Sequence, residues 1–278
     1  MTQKVAMVTG ATRGIGRCGA LELARRGYDV VVTGRTLHEG DAREQGTVIP
    51  GSLDTTASEV EALGQRCLAV PMDITDRASI RAGVERAMAS WPRVDVLVNN
   101  AAYSGPGVNA RFLDIDCEMA TNAVEGDYVN QVFLTQLALP LMLEQGSGTV
   151  INLGSGSALM APPAPVGEGG WSLVHCAAKA AFHQLAVILD VEFRAGGIRA
   201  FTLEPGHTIT ERRIALGKAN EFSGHFHGDP PEVTGAVIGW LADEPGADAL
   251  LGGMVHAQSV CKRQSLLPGW PAAQPNEA

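Results

Sequence analysis

Short apolar runs alternate with longer amphipathic segments along the 278-residue chain. The runs are rich in valine and apolar on both faces, which is typical of strands buried in a parallel sheet. The segments between them repeat apolar residues every three or four positions, which predicts helices that bury one face. The predicted strands are Val5–Thr9, Asp29–Thr33, Cys67–Pro71, Val94–Asn99, Thr149–Leu153 and Ile198–Leu203. The predicted helices are Ile15–Arg26, Thr56–Leu63, Arg77–Ser90, Cys117–Glu144, Ser172–Ala195 and Glu232–Ala242.

This alternation predicts an α/β fold with one doubly wound parallel sheet and helices on both faces. A chain of this length with 45% hydrophobic residues can bury one large core, so we expect a single domain over residues 1–268. Residues 269–278 are rich in proline and alanine and are expected to form a loose tail.

Three connections in this pattern are longer than simple turns. Residues 34–54 are polar and glycine-rich, and they are interpreted as a functional loop. Residues 155–170 contain an apolar, proline-rich run that we expect to form a wall of a substrate pocket. Residues 210–231 lie where a lid over such a pocket would be placed.

Charge and cysteine usage limit the classes of partner and compartment. A net charge of −9 disfavours nucleic-acid and anionic-membrane surfaces, because both require a basic footprint, and it favours a small-molecule partner. Five scattered cysteines without a Cys-x-x-Cys pair are interpreted as reduced core thiols of a cytoplasmic protein.

The first apolar run begins almost at Met1, so no export signal is expected. The apolar stretch Val132–Leu143 is shorter than the roughly 20 residues that span a bilayer, so no membrane span is expected.

A glycine-rich turn, Thr9-Gly10-Ala11-Thr12-Arg13-Gly14-Ile15-Gly16, follows the first predicted strand and opens the first helix. Glycines at this spacing allow a tight turn and let a pyrophosphate approach the backbone N–H groups at a helix N-terminus. In this strand–turn–helix context the pattern predicts a dinucleotide-binding site of the Rossmann type.

The end of the second predicted strand indicates which dinucleotide is bound. An NAD site places an Asp or Glu there to hold the ribose, whereas this strand ends in Thr33-Gly34-Arg35. Arg35 and Arg13 flank the predicted pocket, and guanidinium groups pair well with phosphate. The pattern therefore favours NADP(H).

Motifs along nearly the whole chain resemble the short-chain dehydrogenase/reductase superfamily. In chain order they are the glycine turn, Asp73 after the third predicted strand, Asn99-Asn100-Ala101-Ala102 after the fourth, Ser155 after the fifth, Lys179 on the following helix and Pro205–Thr210 after the sixth. The resemblance implies that Asp73 contacts the adenine, that Asn99 lines the cofactor ribose, and that the segment from Pro205 to Thr210 holds the nicotinamide amide and the diphosphate. The expected cofactor contacts are Gly10, Thr12, Arg13, Gly14, Ile15, Gly16, Arg35, Asp73, Ile74, Asn99, Ala101, Lys179, Pro205, Gly206, Thr208 and Thr210.

The resemblance also implies a catalytic set of Asn, Ser, Tyr and Lys, with the Tyr four residues before the Lys. The expected Ser and Lys are Ser155 and Lys179, but His175 stands at the Tyr position. An ungapped alignment puts Asp127 at the Asn position, although a shift of one helical turn would bring Asn122 or Asn130 there instead. The predicted catalytic residues are Ser155, His175, Lys179 and Asp127.

Two classes of function remain open for such a site. One is an NADP(H)-dependent oxidoreductase that interconverts a secondary alcohol and a ketone on a mid-sized, mostly hydrophobic substrate, with a neutral His175 accepting the alcohol proton. The other is a cofactor-binding protein without redox activity, such as a sensor or a lyase.

Assembly and metal binding complete the expectations. The family commonly forms dimers or tetramers through the two long helices on either side of the fifth strand, so we expect a homodimer or homotetramer. His225-Phe226-His227 places two imidazoles on a loop with no cysteine or carboxylate cluster nearby, so no metal is expected.

Overall fold

The computed structural model describes residues 3–220, 222 and 224–271. Seven parallel strands form one sheet in the order β5-β2-β1-β6-β7-β8-β9. Its strands are β1 (Val5–Thr9), β2 (Asp29–Gly34), β5 (Cys67–Pro71), β6 (Val96–Asn99), β7 (Gly148–Leu153), β8 (Ile198–Glu204) and β9 (Met254–His256). The predicted doubly wound sheet is confirmed. Among the described strands of this sheet, β9 alone was not predicted, because three residues at a sheet edge are too few to form a recognisable apolar run.

Helices cover both faces of this sheet. They are α1 (Gly14–Arg25), α2 (Leu53–Ala62), α3 (Arg77–Ser90), α4 (Cys117–Val124), α5 (Asn130–Gln145), α6 (Leu173–Phe193), α7 (Glu211–Ala215), α8 (Pro231–Asp243) and α9 (Ala257–Gln264). One apolar core lies between the sheet and the layer of α1, α2, α8 and α9, and a second lies between the sheet and α3, α5 and α6. Burial of the sheet on both faces explains why its strands read as continuous apolar runs.

The predicted helix Cys117–Glu144 is interrupted. α4 ends at Val124, and a π-helical turn over Glu125–Val129 separates it from α5. Pro140 lies inside α5 but does not end it. The interruption matters for the site, since the π-helical turn carries Asp127.

All three long connections contain structure of their own, and residues 155–170 include a short 3₁₀ helix over Gly156–Ala158. Residues 34–54 include a short antiparallel hairpin, β3 (Arg43–Glu44) with β4 (Thr47–Val48). The segment 210–231 begins with the short helix α7.

The predicted loose tail lies partly inside the described residues. Trp270 packs against the first core and donates its indole N–H to Asp229, at 3.1 Å. Residues 272–278 lie outside the described residues.

One helical segment, Leu173–Gly196, is long and apolar enough to cross a membrane by length and composition. The prediction overlooked this segment in favour of Val132–Leu143. It carries three buried polar side chains, Lys179, His183 and Asp190, so we assign it to the core of the α/β fold.

The cysteines are all free in the described residues, but not all of them lie in the core. Cys18 and Cys261 are buried, whereas Cys117 is exposed, which corrects the expectation for that residue. Burial raises the pKa of the Cys18 thiol to about 12, so this group stays protonated and unreactive at neutral pH.

Candidate active site

The glycine turn between β1 and α1 is built by close backbone contacts that exclude side chains. A Cβ atom on Gly16 would lie 2.4 Å from the carbonyl oxygen of Gly10, and one on Gly10 would lie 2.9 Å from the Cα of Ala101. Gly10 also has a φ of +65°, which favours glycine. The turn therefore brings the backbone close together at the start of α1, with no side chain from its glycines.

The N–H of Gly14 shows what this turn binds. It donates to the Oε2 atom of Glu211 at 2.9 Å, so a carboxylate of the protein itself occupies the helix N-terminus. Since the N–H groups of the first helical turn have no partner within the helix, they favour an anion. The turn is thus shaped and polarised for a phosphate group.

A cleft of about 1180 Å³ opens from this turn along the carboxyl ends of the strands. Of the predicted cofactor contacts, those that line it are Gly10, Thr12, Arg13, Gly14, Ile15, Gly16, Arg35, Asp73, Ile74, Ala101 and Thr210. Asn99, Lys179, Pro205, Gly206 and Thr208 are not among its lining residues in the described part of the chain.

The end of β2 leaves no room for an acidic side chain at residue 34. A Cβ atom on Gly34 would lie 2.8 Å from the Cγ2 of Thr12. Arg35 is exposed at the cleft, and its guanidinium donates to the Ser104 hydroxyl at 3.3 Å. Arg13 is held differently, because its guanidinium donates to the carbonyl oxygens of Pro50 and Gly51 at 2.6 and 2.7 Å. Arg35 is therefore the more accessible of the two predicted phosphate-binding arginines.

Asp73 and Ile74 line the cleft beyond β5. The Asp73 carboxylate accepts hydrogen bonds from the N–H and the hydroxyl of Thr75, which fixes the turn after the strand. The Asn130 amide donates to the Ile74 carbonyl at 2.8 Å and supports this turn from below.

Asn99 was expected to line the cofactor ribose, but its side chain is turned into the interior. The residue is fully buried, and its amide donates to Thr135 and Asn152 at 3.0 and 2.9 Å. The neighbouring Asn100 lines the cleft instead and donates to the carbonyl of Thr9. The sequence placed Asn99 correctly at the end of β6 but could not show which way its side chain turns.

The segment after β8 is held from behind by Glu204. Its Oε1 atom accepts from the N–H of Gly206 at 2.8 Å and from the N–H of Gly156 at 3.4 Å. The Thr208 hydroxyl donates to the Pro205 carbonyl at 3.2 Å. The expected contacts of Pro205, Gly206 and Thr208 with a cofactor stay a prediction.

The predicted catalytic residues Ser155, His175 and Lys179 lie at the junction of β7 and α6. The Ser155 hydroxyl is 2.8 Å from that of Ser157. His175 and Lys179 are one helical turn apart and therefore share a face of α6. Lys179 is buried, and its Nζ donates to the Leu153 carbonyl at 2.9 Å. Its expected contact with a cofactor stays a prediction.

Asp127 faces the same region from the π-helical turn. Its Oδ1 atom accepts from the backbone N–H of Tyr103 at 2.7 Å. Burial and the Lys179 ammonium lower the pKa of His175, and the Asp127 carboxylate partly opposes them. At neutral pH the imidazole is therefore uncharged and able to accept a proton.

Sequence reasoning missed His183 and Glu204. His183 is buried one turn beyond Lys179, and its Nε2 atom accepts from the Ser155 N–H at 3.2 Å. Burial and Lys179 lower the pKa of His183, while Glu204 raises it. The four-residue spacing of His175, Lys179 and His183 was a signal that could have found His183.

Comparisons with known proteins show which family the chain belongs to. Residues 4–221 match the family described as short chain dehydrogenase. The chain belongs to this family. It is 30% identical to a cyclohexanol dehydrogenase of Rhodococcus sp. strain TK6 over 75% of this chain and 76% of the relative. It is 32% identical to a cis-4-hydroxycyclohexanecarboxylate dehydrogenase of Sinomonas cyclohexanicum over 75% of this chain and 74% of the relative.

A solved structure shares the fold of this short-chain dehydrogenase. The short chain dehydrogenase from Mycobacterium paratuberculosis bound to NAD superimposes with a TM-score of 0.72 at 23% identity, over 91% of this chain and 95% of that chain. Members of the family are oxidoreductases that bind a nicotinamide cofactor and act on small molecules. The glycine turn fits such a cofactor, since its Gly14 N–H already binds an anionic group.

Proposed function

We propose that this protein is an NADP(H)-dependent oxidoreductase that interconverts a secondary alcohol and a ketone, with His175 as the acid/base in place of the family's Tyr. The observation that carries the proposal is the charge environment of His175. Burial and Lys179 lower the pKa of the imidazole, which keeps it neutral and ready to accept a proton.

The residues of the chain divide the work as follows. Arg35 and the glycine turn hold the cofactor, which when bound supplies the nicotinamide ring that exchanges hydride with the carbinol carbon. The Ser155 hydroxyl hydrogen-bonds the substrate oxygen, and the neutral His175 ring takes the alcohol proton. Burial and Lys179 favour the neutral ring and lower the pKa of the imidazole, and the Asp127 carboxylate partly opposes them.

Arg35 supports the choice of NADP(H). Its guanidinium is exposed at the cleft, and a carboxylate at residue 34 that would hold an NAD ribose would force Thr12 to move. An exposed guanidinium at this position pairs with a 2′-phosphate.

The substrate is assigned as a mid-sized, mostly hydrophobic secondary alcohol, with cyclic alcohols first among them. Two relatives carry names that specify ring alcohols, cyclohexanol and cis-4-hydroxycyclohexanecarboxylate. The loop after β7 exposes Leu159 and Met160, which provide an apolar surface beside the junction of β7 and α6. We assign the protein to the cytoplasm as a homodimer or homotetramer.

The test compares alcohol oxidation by the parent protein and by the variant His175→Ala. In the parent we expect cyclohexanol and related alcohols to reduce NADP⁺, measured by absorbance at the nicotinamide band. Oxidation should rise with pH through a pKa below about 6.5, the ordinary value for histidine, because only the neutral ring accepts the proton.

His175→Ala should lower kcat by at least about a hundredfold and leave the NADPH dissociation constant within twofold. His38→Ala is the matched control, since His38 is exposed and pairs with Asp54. Parent-like activity of His175→Ala would show that His175 only packs. NADPH binding without turnover of any alcohol or ketone would favour the alternative of a non-redox binding protein or lyase.

A further inference from the structure

Glu211, the first residue of α7, contacts the glycine turn across the cleft. Its Oε2 atom accepts from the Gly14 N–H at 2.9 Å, and its Oε1 atom lies 3.5 Å from a guanidinium nitrogen of Arg17. Thr210 packs close by, with its Cγ2 atom 3.0 Å from the position of a Cβ on Gly14. The start of α7 is therefore attached to the glycine turn through a carboxylate.

This contact occupies a donor that the cofactor needs. Gly14 begins α1, so its N–H has no partner within the helix and lies at the positive end of the helix dipole. A diphosphate on the turn would require the same N–H. One N–H cannot serve two anions, and the two negative charges would also repel each other.

A second contact ties α7 to the opposite rim of the cleft. The guanidinium of Arg212 forms two hydrogen bonds of 2.8 Å with the two carboxylate oxygens of Glu44 on β3. Arg212 and Glu44 both line the cleft. Since Glu211 and Arg212 attach α7 to two different parts of the cleft, loss of the Glu211 contact frees one of these attachments.

We propose that Glu211 is an internal ligand of the phosphate-binding turn, which the cofactor diphosphate displaces on binding. Glu211 thereby weakens cofactor affinity, and its release couples the arrival of the cofactor to a change in the position of α7. The inference rests on the proposed function in one respect, that the cofactor diphosphate binds at the glycine turn. It requires neither redox activity nor a preference for NADP(H), because NADH carries the same diphosphate.

The competing explanation is that Glu211 only stabilises the N-terminus of α1, as acidic residues do at such positions. Glu59 provides a matched control. It pairs with the same Arg17, from which its two carboxylate oxygens accept hydrogen bonds of 2.8 and 2.6 Å. Glu59→Gln thus changes the partner of Arg17 and not that of Gly14, whereas Glu211→Ala releases the turn and Glu211→Gln weakens the contact by removing its negative charge.

The experiment is calorimetric binding of NADPH, NADH and inorganic pyrophosphate to the parent and the three variants. Glu211→Ala should bind all three about tenfold more tightly than the parent. Glu211→Gln should bind them about threefold more tightly, because its neutral amide still accepts a hydrogen bond, but a weaker one. Glu59→Gln should remain within twofold of the parent. Unchanged or weaker binding by Glu211→Ala would overturn the proposal.

Amide hydrogen exchange provides a second measurement on the parent protein. Exchange over residues 211–216 should rise when pyrophosphate is added, because the ion removes the Glu211 contact and offers no nicotinamide for α7 to contact. In Glu211→Ala the same addition should leave this exchange unchanged. Protection that does not fall in the parent would contradict displacement. A protein that binds cofactor as stated but turns over no alcohol would disprove the proposed function and leave this inference standing.

Discussion

At the scale of single residues, the end of β2 carries the choice of cofactor. Gly34 lies so close to Thr12 that a side chain there would force Thr12 to move. Arg35 follows immediately and extends into the cleft, where its hydrogen bond to Ser104 is long, at 3.3 Å. Breaking one weak, exposed hydrogen bond costs little free energy, so the Arg35 guanidinium can bind a phosphate in place of Ser104.

We therefore expect Arg35→Asp to reverse the cofactor preference. The parent should bind NADPH about ten- to a hundredfold more tightly than NADH, since a charge-assisted hydrogen bond contributes about 1.5–3 kcal/mol. The variant should prefer NADH, because its carboxylate repels the 2′-phosphate and can accept a ribose hydroxyl. Arg86→Asp makes the same charge change on the exposed surface of α3 and should leave the preference intact. Equal affinities of the parent for both cofactors in calorimetry would refute the assignment.

At the scale of elements, α6 presents three titratable side chains at four-residue spacing. His175, Lys179 and His183 lie on one face of the helix, toward the end of β7. His183 accepts the Ser155 N–H through Nε2, which it can do only while that nitrogen is unprotonated. The helix thus holds the position of Ser155 through a hydrogen bond that acid removes.

Acid should destabilise the protein partly through His183. Burial and then Lys179 lower its pKa in the folded state, so the unfolded chain binds the proton first, and stability falls as the pH drops below about 6.5. His183→Gln places an amide oxygen near the position of Nε2. Its free energy of unfolding at pH 8 should lie within about 1 kcal/mol of the parent's, the size of one hydrogen bond. The variant should lose less stability between pH 7 and pH 5, as measured by urea unfolding. Parallel pH curves for the two proteins would rule out this role.

At the scale of the whole molecule, α6 leaves apolar side chains uncovered. Leu173, Ile188 and Val191 are 51%, 48% and 76% exposed. Ile188 and Val191 lie three residues apart and form a short apolar stripe on one face of the helix, whereas Leu173 lies five turns away at its start. An exposed apolar stripe on a helix that also contributes to the core is typical of a surface that a second subunit covers.

The assembly prediction follows from this stripe. The parent should have the mass of a dimer or tetramer by light scattering at micromolar concentration. Replacing both Ile188 and Val191 with Glu should give a monomer, because the charges would be buried without partners at the interface. Arg86→Glu on α3 should not change the mass. A monomeric parent would refute the prediction.

The sequence alone determined the fold and the location of the cofactor turn. Valine-rich runs, helical spacing and the glycines between β1 and α1 are patterns within a few neighbouring residues, and local sterics act on them before any tertiary contact forms. The strand bounds agree to within two residues, and the glycine turn lies where the pattern placed it.

Tertiary structure decided how the side chains of the site are used. Asn99 turns inward, where its amide nitrogen donates to Thr135 and Asn152, and Lys179 reaches the Leu153 carbonyl. The Glu211 carboxylate accepts a hydrogen bond from the Gly14 N–H, although the two residues are 197 positions apart in the chain. Such partners come together only when distant elements pack. A short stretch of sequence does not predict such long-range contacts, because the spacing of two residues along the chain does not determine their distance in space.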